Sequence, residues 1–229
     1  MVNKKIAIIP ARGGSKRLPK KNILEFNGEP MISWTIKAAI EANLFDHVIV
    51  STDSEEIAEI SRSFGAEVPF LRTIAHDDIS PVSEATISAL QQMELVSGIQ
   101  FQTVTQLMPN CPLRSSTSII EQMNAFGHTG NCSVLSGFSY GMSNPWWAHK
   151  HYDDGSSAPL FESALKERSQ DLPQLICPSG ATWISSKVKL LKHRTFYSPN
   201  YRFFHLDWKE AIDIDDAQDL ELALVASKL

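Results

Sequence analysis

Between Ala11 and Asn22 the chain carries Arg12, Lys16, Arg17, Lys20 and Lys21 together with Gly13, Gly14 and Ser15, directly after the apolar run Ile6-Ala7-Ile8-Ile9-Pro10. Paired glycines let backbone N–H groups approach an anion, while the cations and the hydroxyl add charge and further donors, which is the make-up of a polyphosphate cradle. The spacing is neither that of the phosphate loop ending in Gly-Lys-Ser/Thr nor the Gly-x-Gly-x-x-Gly of dinucleotide folds, so the loop belongs to another class. A basic run is most often a solvated face. Here an apolar strand and two glycines fix where the charges stand, and the predicted guest is a nucleoside triphosphate.

A second chemical cluster lies near the carboxyl end, in Ala211-Ile212-Asp213-Ile214-Asp215-Asp216. Strand periodicity sends Asp213 and Asp215 to one face and Ile212 and Ile214 to the other. Two adjacent carboxylates repel unless a cation or proton is shared, and paired oxygen ligands on an extended segment suit magnesium held together with substrate phosphates. The alternative use of Asp215 or Asp216 is to cap a following helix with Ala217, Leu220 and Leu224 at helical spacing; the reading adopted is that one residue caps and the other two bind metal. The seven histidines, His76, His149 and His151 among them, show no ligand spacing, and Cys111, Cys132 and Cys177 form no Cys-x-x-Cys pair, so zinc chemistry is not expected. Ser15 has no neighbouring base in sequence, which favours phosphate binding over nucleophilic catalysis.

These residues must be positioned by a scaffold of alternating strands and helices. A strand over Ile6–Pro10 is followed by an amphipathic stretch from Met31 to Ala42, then a strand His47–Ser51. Asp53 with Glu56 reads as a capping box opening a helix through Ile57, Ile60 and Phe64, which Gly65 ends. Further strands are expected around Glu67–Leu71 and Phe101–Gln106, and helices over Ser83–Ser97 and Ser116–Phe126. Repeated β-α units predict a doubly wound, mostly parallel α/β sheet in one domain of 229 residues. From roughly Gly137 to Gln174 aromatics, glycines and prolines replace the alternation, which predicts an inserted arm. Its Tyr140, Trp146, Trp147 and Tyr152 either cover a second copy of the chain or pack on their own domain.

With 21 Lys and Arg against 26 Asp and Glu, the formal charge is −5, so the basic loop reverses the overall sign and no general nucleic-acid surface is expected. The amino-terminal residues run into a strand without a signal-peptide apolar region, and no apolar run approaches membrane-spanning length; a cytoplasmic location without membrane partners is the expectation.

The chain resembles a known family over nearly its whole length: the nucleotidyltransferases that activate nine-carbon acidic sugars, typified by the acylneuraminate cytidylyltransferases. The resemblance rests on Ile9-Pro10-Ala11-Arg12-Gly13-Gly14-Ser15-Lys16, Leu18-Pro19-Lys20-Lys21-Asn22, Leu44-Phe45-Asp46 with Val50-Ser51-Thr52-Asp53, Gln106 through Pro112-Leu113-Arg114, Pro178-Ser179-Gly180-Ala181, and Ile212-Asp213-Ile214-Asp215. It implies a Rossmann-like nucleotidyltransferase fold and a homodimer. The implied reaction is magnesium-dependent transfer of CMP from CTP to the acidic sugar, with pyrophosphate released. It places Arg12, Gly13, Ser15, Lys16 and Lys21 around the triphosphate, Asn22 at the nucleotide, Arg72 near the base, Gln106 and Arg168 at the sugar, and Asp213 and Asp215 at the metal. Lys21, Arg12 and the two aspartates are the implied catalytic set.

The chain departs from the family pattern at the sugar side. Cys177-Pro178-Ser179-Gly180 stands where the family has Arg-Pro-Asn-Gly, Trp146-Trp147 stands where a lysine is common, and, near the cytosine, Asp78-Ile79-Ser80-Pro81-Val82-Ser83 replaces a run of small residues. Lost cationic and amide groups and added aromatics favour a less polar nonulosonic acid, such as legionaminic or pseudaminic acid. Two further readings are carried: a nucleotidyltransferase for another sugar acid such as the eight-carbon 3-deoxy acid of lipopolysaccharide, and a non-catalytic nucleotide-binding protein on the same fold.

Overall fold

The computed structural model describes residues 3–73, 81–130 and 132–229. His76, Asp77 and residues 78–80 of the segment singled out above lie outside the described residues. The chain runs through β1 (Lys5–Pro10), a short 3-10 helix at Lys21–Ile23, the two-residue strands β2 (Glu25–Phe26) and β3 (Glu29–Pro30), α1 (Met31–Glu41), β4 (His47–Ser51) and α2 (Glu55–Ser63). It continues with α3 (Val82–Ser97), β5 (Thr103–Gln106), α4 (Ser116–Gly127), β6 (Val134–Ser139), β7 (His149–His151) and β8 (Ser157–Pro159). β9 (Ile176–Ser186), α5 (Lys187–His193), β10 (Arg202–His205) and α6 (Ala217–Ala226) complete it.

Six strands form the main sheet in the order β10-β6-β9-β5-β1-β4. β1 is parallel to both its neighbours and β10 to β6, whereas β9 runs antiparallel to β5 and to β6. The expected mostly parallel α/β sheet is therefore what the chain forms, with one reversed strand at its middle. Apolar residues along β1 bury both ways: Ala7 and Ile9 join the cluster under α1, α2 and α4, and Ile6 and Ile8 join the one under α3 and α5. A strand buried on both faces reads as a continuous apolar run, which is why Ile6–Pro10 was legible. The carboxyl ends of β4, β1 and β5 open on the same edge of the sheet, where α/β folds bind ligands.

Three local expectations are corrected. The strand expected at Glu67–Leu71 reduces to a single parallel bridge between Ile49 and Glu67, because Pro69 has no N–H to extend the ladder. Ser54, not Asp53, caps α2, its hydroxyl accepting the Ile57 N–H at 3.4 Å. Asp213 and Asp215 do not lie on a sheet strand. Their segment is extended but is held by Asn110, whose backbone carbonyl accepts the Ile214 N–H and whose side-chain amide donates to the Ile214 carbonyl, both at 2.9 Å. The face assignment holds nonetheless: Ile212 and Ile214 enter a core with Phe26, Met31 and Ala223.

The irregular stretch leaves the sheet between Ser139 and Ile176, slightly later than expected because Gly137 is still part of β6. It holds the β7–β8 hairpin and three short 3-10 helices. Trp146 packs within the arm, its ring 5.0 Å from that of Phe161 and its indole N–H donating to the Pro173 carbonyl at 2.9 Å. Trp147, Tyr152, Met142, Leu160 and Leu165 remain exposed.

Candidate functional site

The loop after β1 begins from a fixed base. The Ala11 N–H donates to the Ser51 carbonyl at 2.9 Å, and Asn22, buried, donates its amide to the Arg12 carbonyl at 2.9 Å. Lys20, at φ 54°, turns the chain into the 3-10 helix that presents Lys21. Arg12, Ser15, Lys16, Arg17, Lys21, Asn22 and Arg72 line one cleft of about 250 Å³, whose other walls include Val82, Ala85, Met108, Asn110 and Asp215. Cations from one loop and a carboxylate from the chain's last quarter thus meet where β1 and β5 end.

The two aspartates differ in environment. The Asp215 carboxylate receives the Lys21 ammonium at 2.8 Å on Oδ1 and the Arg17 guanidinium at 2.5 Å on Oδ2. Burial pushes its carboxyl up, but the hydrogen bond and charge of Lys21, with those of Arg17, outweigh this and hold it below the usual value. Asp213 accepts a hydrogen bond from the Asn110 amide. It does not itself line the cleft and is exposed to solvent, yet burial of the carboxyl, joined by the Asp215 charge, pushes it up to about 6. A raised carboxylate beside an ionised one is a site short of positive charge.

That imbalance fits a divalent cation. Asp213 and Asp215 offer hard oxygen donors of the kind magnesium takes, with phosphate oxygens and water completing the shell. Among the described residues there is no group of three or more His, Cys, Asp or Glu side chains able to hold a metal, so a cation on these two carboxylates would need substrate oxygens for the rest of its shell.

Several residues anticipated at the site stand elsewhere. Gly13 does not offer its amide to the cleft, because that N–H donates to Asp53 Oδ1 at 2.7 Å. Gln106 is fully buried in β5, where it accepts the Thr86 hydroxyl proton at 2.7 Å; Met108, two residues further on, lines the cleft instead. Arg168 sits on the arm, paired with Asp171 at 2.7 Å and largely exposed, and does not line the cleft. Arg72 does reach the cleft. Burial lowers its pKa, and the Arg12 charge acts in the same direction against the opposing pull of Asp53. Asp216 takes the capping role, accepting the Asp219 N–H at 3.1 Å while the Asp219 carboxylate accepts the Asp216 N–H at 3.1 Å. Asn110 and Asp53 are the positions that sequence reasoning missed. No periodicity marks either, since each acts through contacts with a segment 40 or more residues away.

A mostly parallel sheet with a cationic loop after its first strand, facing paired aspartates, defines a nucleotidyltransferase-type α/β enzyme. Residues 6–131 match the cytidylyltransferase family model, over half of the chain, and the protein belongs to that family. It is 30% identical over 99% of its length to a pseudaminic acid cytidylyltransferase of Campylobacter jejuni, 97% of which it covers. It is 31% identical over 98% of its length to an N-acylneuraminate cytidylyltransferase of Escherichia coli, of which it spans 52%. Among solved structures, CMP:2-keto-3-deoxy-manno-octonic acid synthetase complexed with CTP matches with a TM-score of 0.72 at 16% identity, covering 99% of this chain and 100% of that one, which establishes the shared fold.

Proposed function

We propose that this chain transfers CMP from CTP to the anomeric hydroxyl of a nonulosonic acid, releasing pyrophosphate, and that it works as a magnesium-dependent homodimer in the cytoplasm. The observation that carries the reading is the meeting, in one cleft, of Arg12, Lys16, Arg17 and Lys21 with Asp215, while Asp213 stands beside the cleft on the lining residue Asn110. The names of the relatives and their coverage of the whole chain support the class of acceptor.

The chemistry follows from where charge appears. The acceptor hydroxyl oxygen bonds to the α-phosphorus, the bond from that phosphorus to the bridging oxygen breaks, and the bridging oxygen carries its electron pair away with pyrophosphate. Negative charge therefore grows on the leaving side, and cations fixed there stabilise the transition state more than the ground state. Arg12, Lys16 and Lys21 supply them, and Lys21, anchored against Asp215 and mostly buried, is the best-fixed. Arg17 shares the Asp215 anchor from a more exposed position. Magnesium held by Asp213 and Asp215 would polarise the α-phosphate and favour ionisation of the attacking hydroxyl. Arg72, buried in the wall of the cleft, would meet the nucleoside.

The preferred acceptor is a less polar nonulosonic acid of the pseudaminic or legionaminic type, because Met108 lines the cleft where a hydrogen-bonding side chain was anticipated. The exposed apolar side chains of the arm would be covered by a second copy, and Arg168 would reach a sugar only from that copy. No helix among the described residues is long and apolar enough to cross a membrane. Pyrophosphate release with CTP and magnesium, across pseudaminic, legionaminic, sialic and eight-carbon sugar acids, tests the reading. Release with a nonulosonic acid supports it; release only with the eight-carbon acid replaces the acceptor, and CTP binding without release from any acid refutes the enzymatic reading.

A further inference from the structure

Asp53 brings a negative charge to the edge of a site built for polyphosphate, and none of the roles above uses it. A carboxylate there opposes anion binding, so its presence calls for a compensating contribution. The helix cap is not that contribution, since Ser54 performs it. What Asp53 does hold is the phosphate loop: its Oδ1 accepts the Gly13 N–H at 2.7 Å across 40 residues of chain. The fit is close, because a Cβ on Gly13 would stand 3.1 Å from Ser54 Cβ and 3.7 Å from Asp53 Oδ1. The same short segment holds the backbone of the cleft's buried Arg72, as the Thr52 carbonyl accepts the Arg72 N–H at 2.7 Å, and the Asp53 charge raises the Arg72 pKa against the larger lowering by burial.

We propose that Asp53 is a positioning residue for the nucleotide phosphates, acting through the loop it fastens and not by touching the substrate. It ties the first turn of the Arg12–Lys16 loop to the end of β4 and the start of α2, so that Arg12, Ser15 and Lys16 converge on one anion. The loop then reads triphosphate with side-chain cations, and its first glycine amide serves as an anchor. Arg72 compensates the charge that this anchoring introduces. The inference rests on the reading of the cleft as a CTP site.

Asp53→Asn and Asp53→Ala in the full chain separate anchoring from charge. Asparagine keeps an oxygen for the Gly13 N–H and removes a negative charge, so CTP binding measured by calorimetry should match the wild type or be tighter. Alanine removes the acceptor, and CTP should bind about tenfold more weakly, the weight of one hydrogen bond to a charged group, with KM rising more than kcat falls. Asp53→Ser, too short to reach Gly13, repeats the alanine result in case that variant does not fold. Wild-type CTP affinity in the alanine or serine variant, or an equal loss in the asparagine variant, overturns the proposal. Inorganic triphosphate is the second probe. If the wild type binds triphosphate but not CTP, the nucleotide reading fails while the variants still test the anchor by the same order of affinities; if it binds neither, both fail.

Discussion

Replacing Asp213 by asparagine should make the protein more stable while making it inactive. Its carboxyl is pushed from the ordinary 3.8 up to about 6, by burial first and by the Asp215 charge second. At about 1.4 kcal/mol for each pH unit between folded and unfolded values, holding it ionised at neutral pH would cost roughly 3 kcal/mol if it were wholly enclosed. Asp213 is exposed, and solvent screens part of this, leaving about 1–2 kcal/mol. A carboxyl raised in the folded state favours folding while protonated, and that contribution is lost as pH rises through the window from about 4 to about 6. Asp213→Asn has no such loss and keeps an oxygen for the Asn110 amide. Its melting temperature should therefore exceed that of the wild type by roughly 2–8 °C at pH 7.5 in metal-free buffer, for a chain of this size. The advantage should shrink towards zero near pH 4, and added magnesium with CTP should narrow it by stabilising the wild type alone. Turnover should fall by about a hundredfold or more, as expected when a charge-fixing group at the reacting phosphate is removed. Thermal melts across pH 4–8 beside a pyrophosphate assay check both halves; an asparagine variant less stable than the wild type at pH 7.5, or an advantage independent of pH, would refute the argument.

Lys21→Met should lower kcat by roughly 10²–10³ with a smaller change in CTP affinity, since its charge is fixed where negative charge develops; steady-state kinetics beside calorimetry separates the two. Gln106→Ala should cost about 1–3 kcal/mol by removing the shorter of the two acceptors of the Thr86 hydroxyl, at 2.7 Å, leaving it the Val82 carbonyl at 3.3 Å, and by emptying a buried site. In that variant the acceptor KM should stay within twofold of wild type, whereas a sugar contact through Gln106 would raise KM and leave denaturant unfolding unchanged.

How much of this was legible in the sequence depends on whether a residue's partner lies nearby along the chain. β1, α1 and α3 were readable because their apolar spacing is local, and the loop at Arg12–Lys21 because glycine and charge density mark it without reference to anything distant. The pairing of Asp213 with Asp215 on one face was also readable, since alternation holds for any extended segment, in a sheet or out of one. What holds that segment extended was not: Asn110 does so through bonds formed more than 100 residues away. Asp53 shows the same limit from the other side. Its spacing to Glu56 matched a local pattern, and a contact with Gly13 across the fold took precedence. Gln106 fails for another reason, because alternation along β5 cannot say which residue is the first past the strand to face the cleft. Burial of both faces removes the polar signal that would have told them apart.

The reversed strand β9 explains why the site is assembled from such distant pieces. Three parallel strands carry the loops after β1, β4 and β5 to one edge, but a doubly wound sheet alone gives that edge cations and backbone amides without a pair of acids. β9 enters from the arm beside β6 and runs back against β5, placing Gly180 so close to the cleft floor that a Cβ there would stand 2.9 Å from Met108 and 3.4 Å from Asp213 Oδ2. Any side chain at 180 would press on one of them, so the bare α-carbon lets the aspartate segment lie down beside the loop after β5. Asn110 then fastens it from that loop, and the Arg17 and Lys21 cations fasten it from the loop after β1. The arm that interrupts the sheet sequence is thus joined directly to the strand that shapes the acidic half of the cleft, and displacement of the arm should be felt first at Asp213 and not at the phosphate loop.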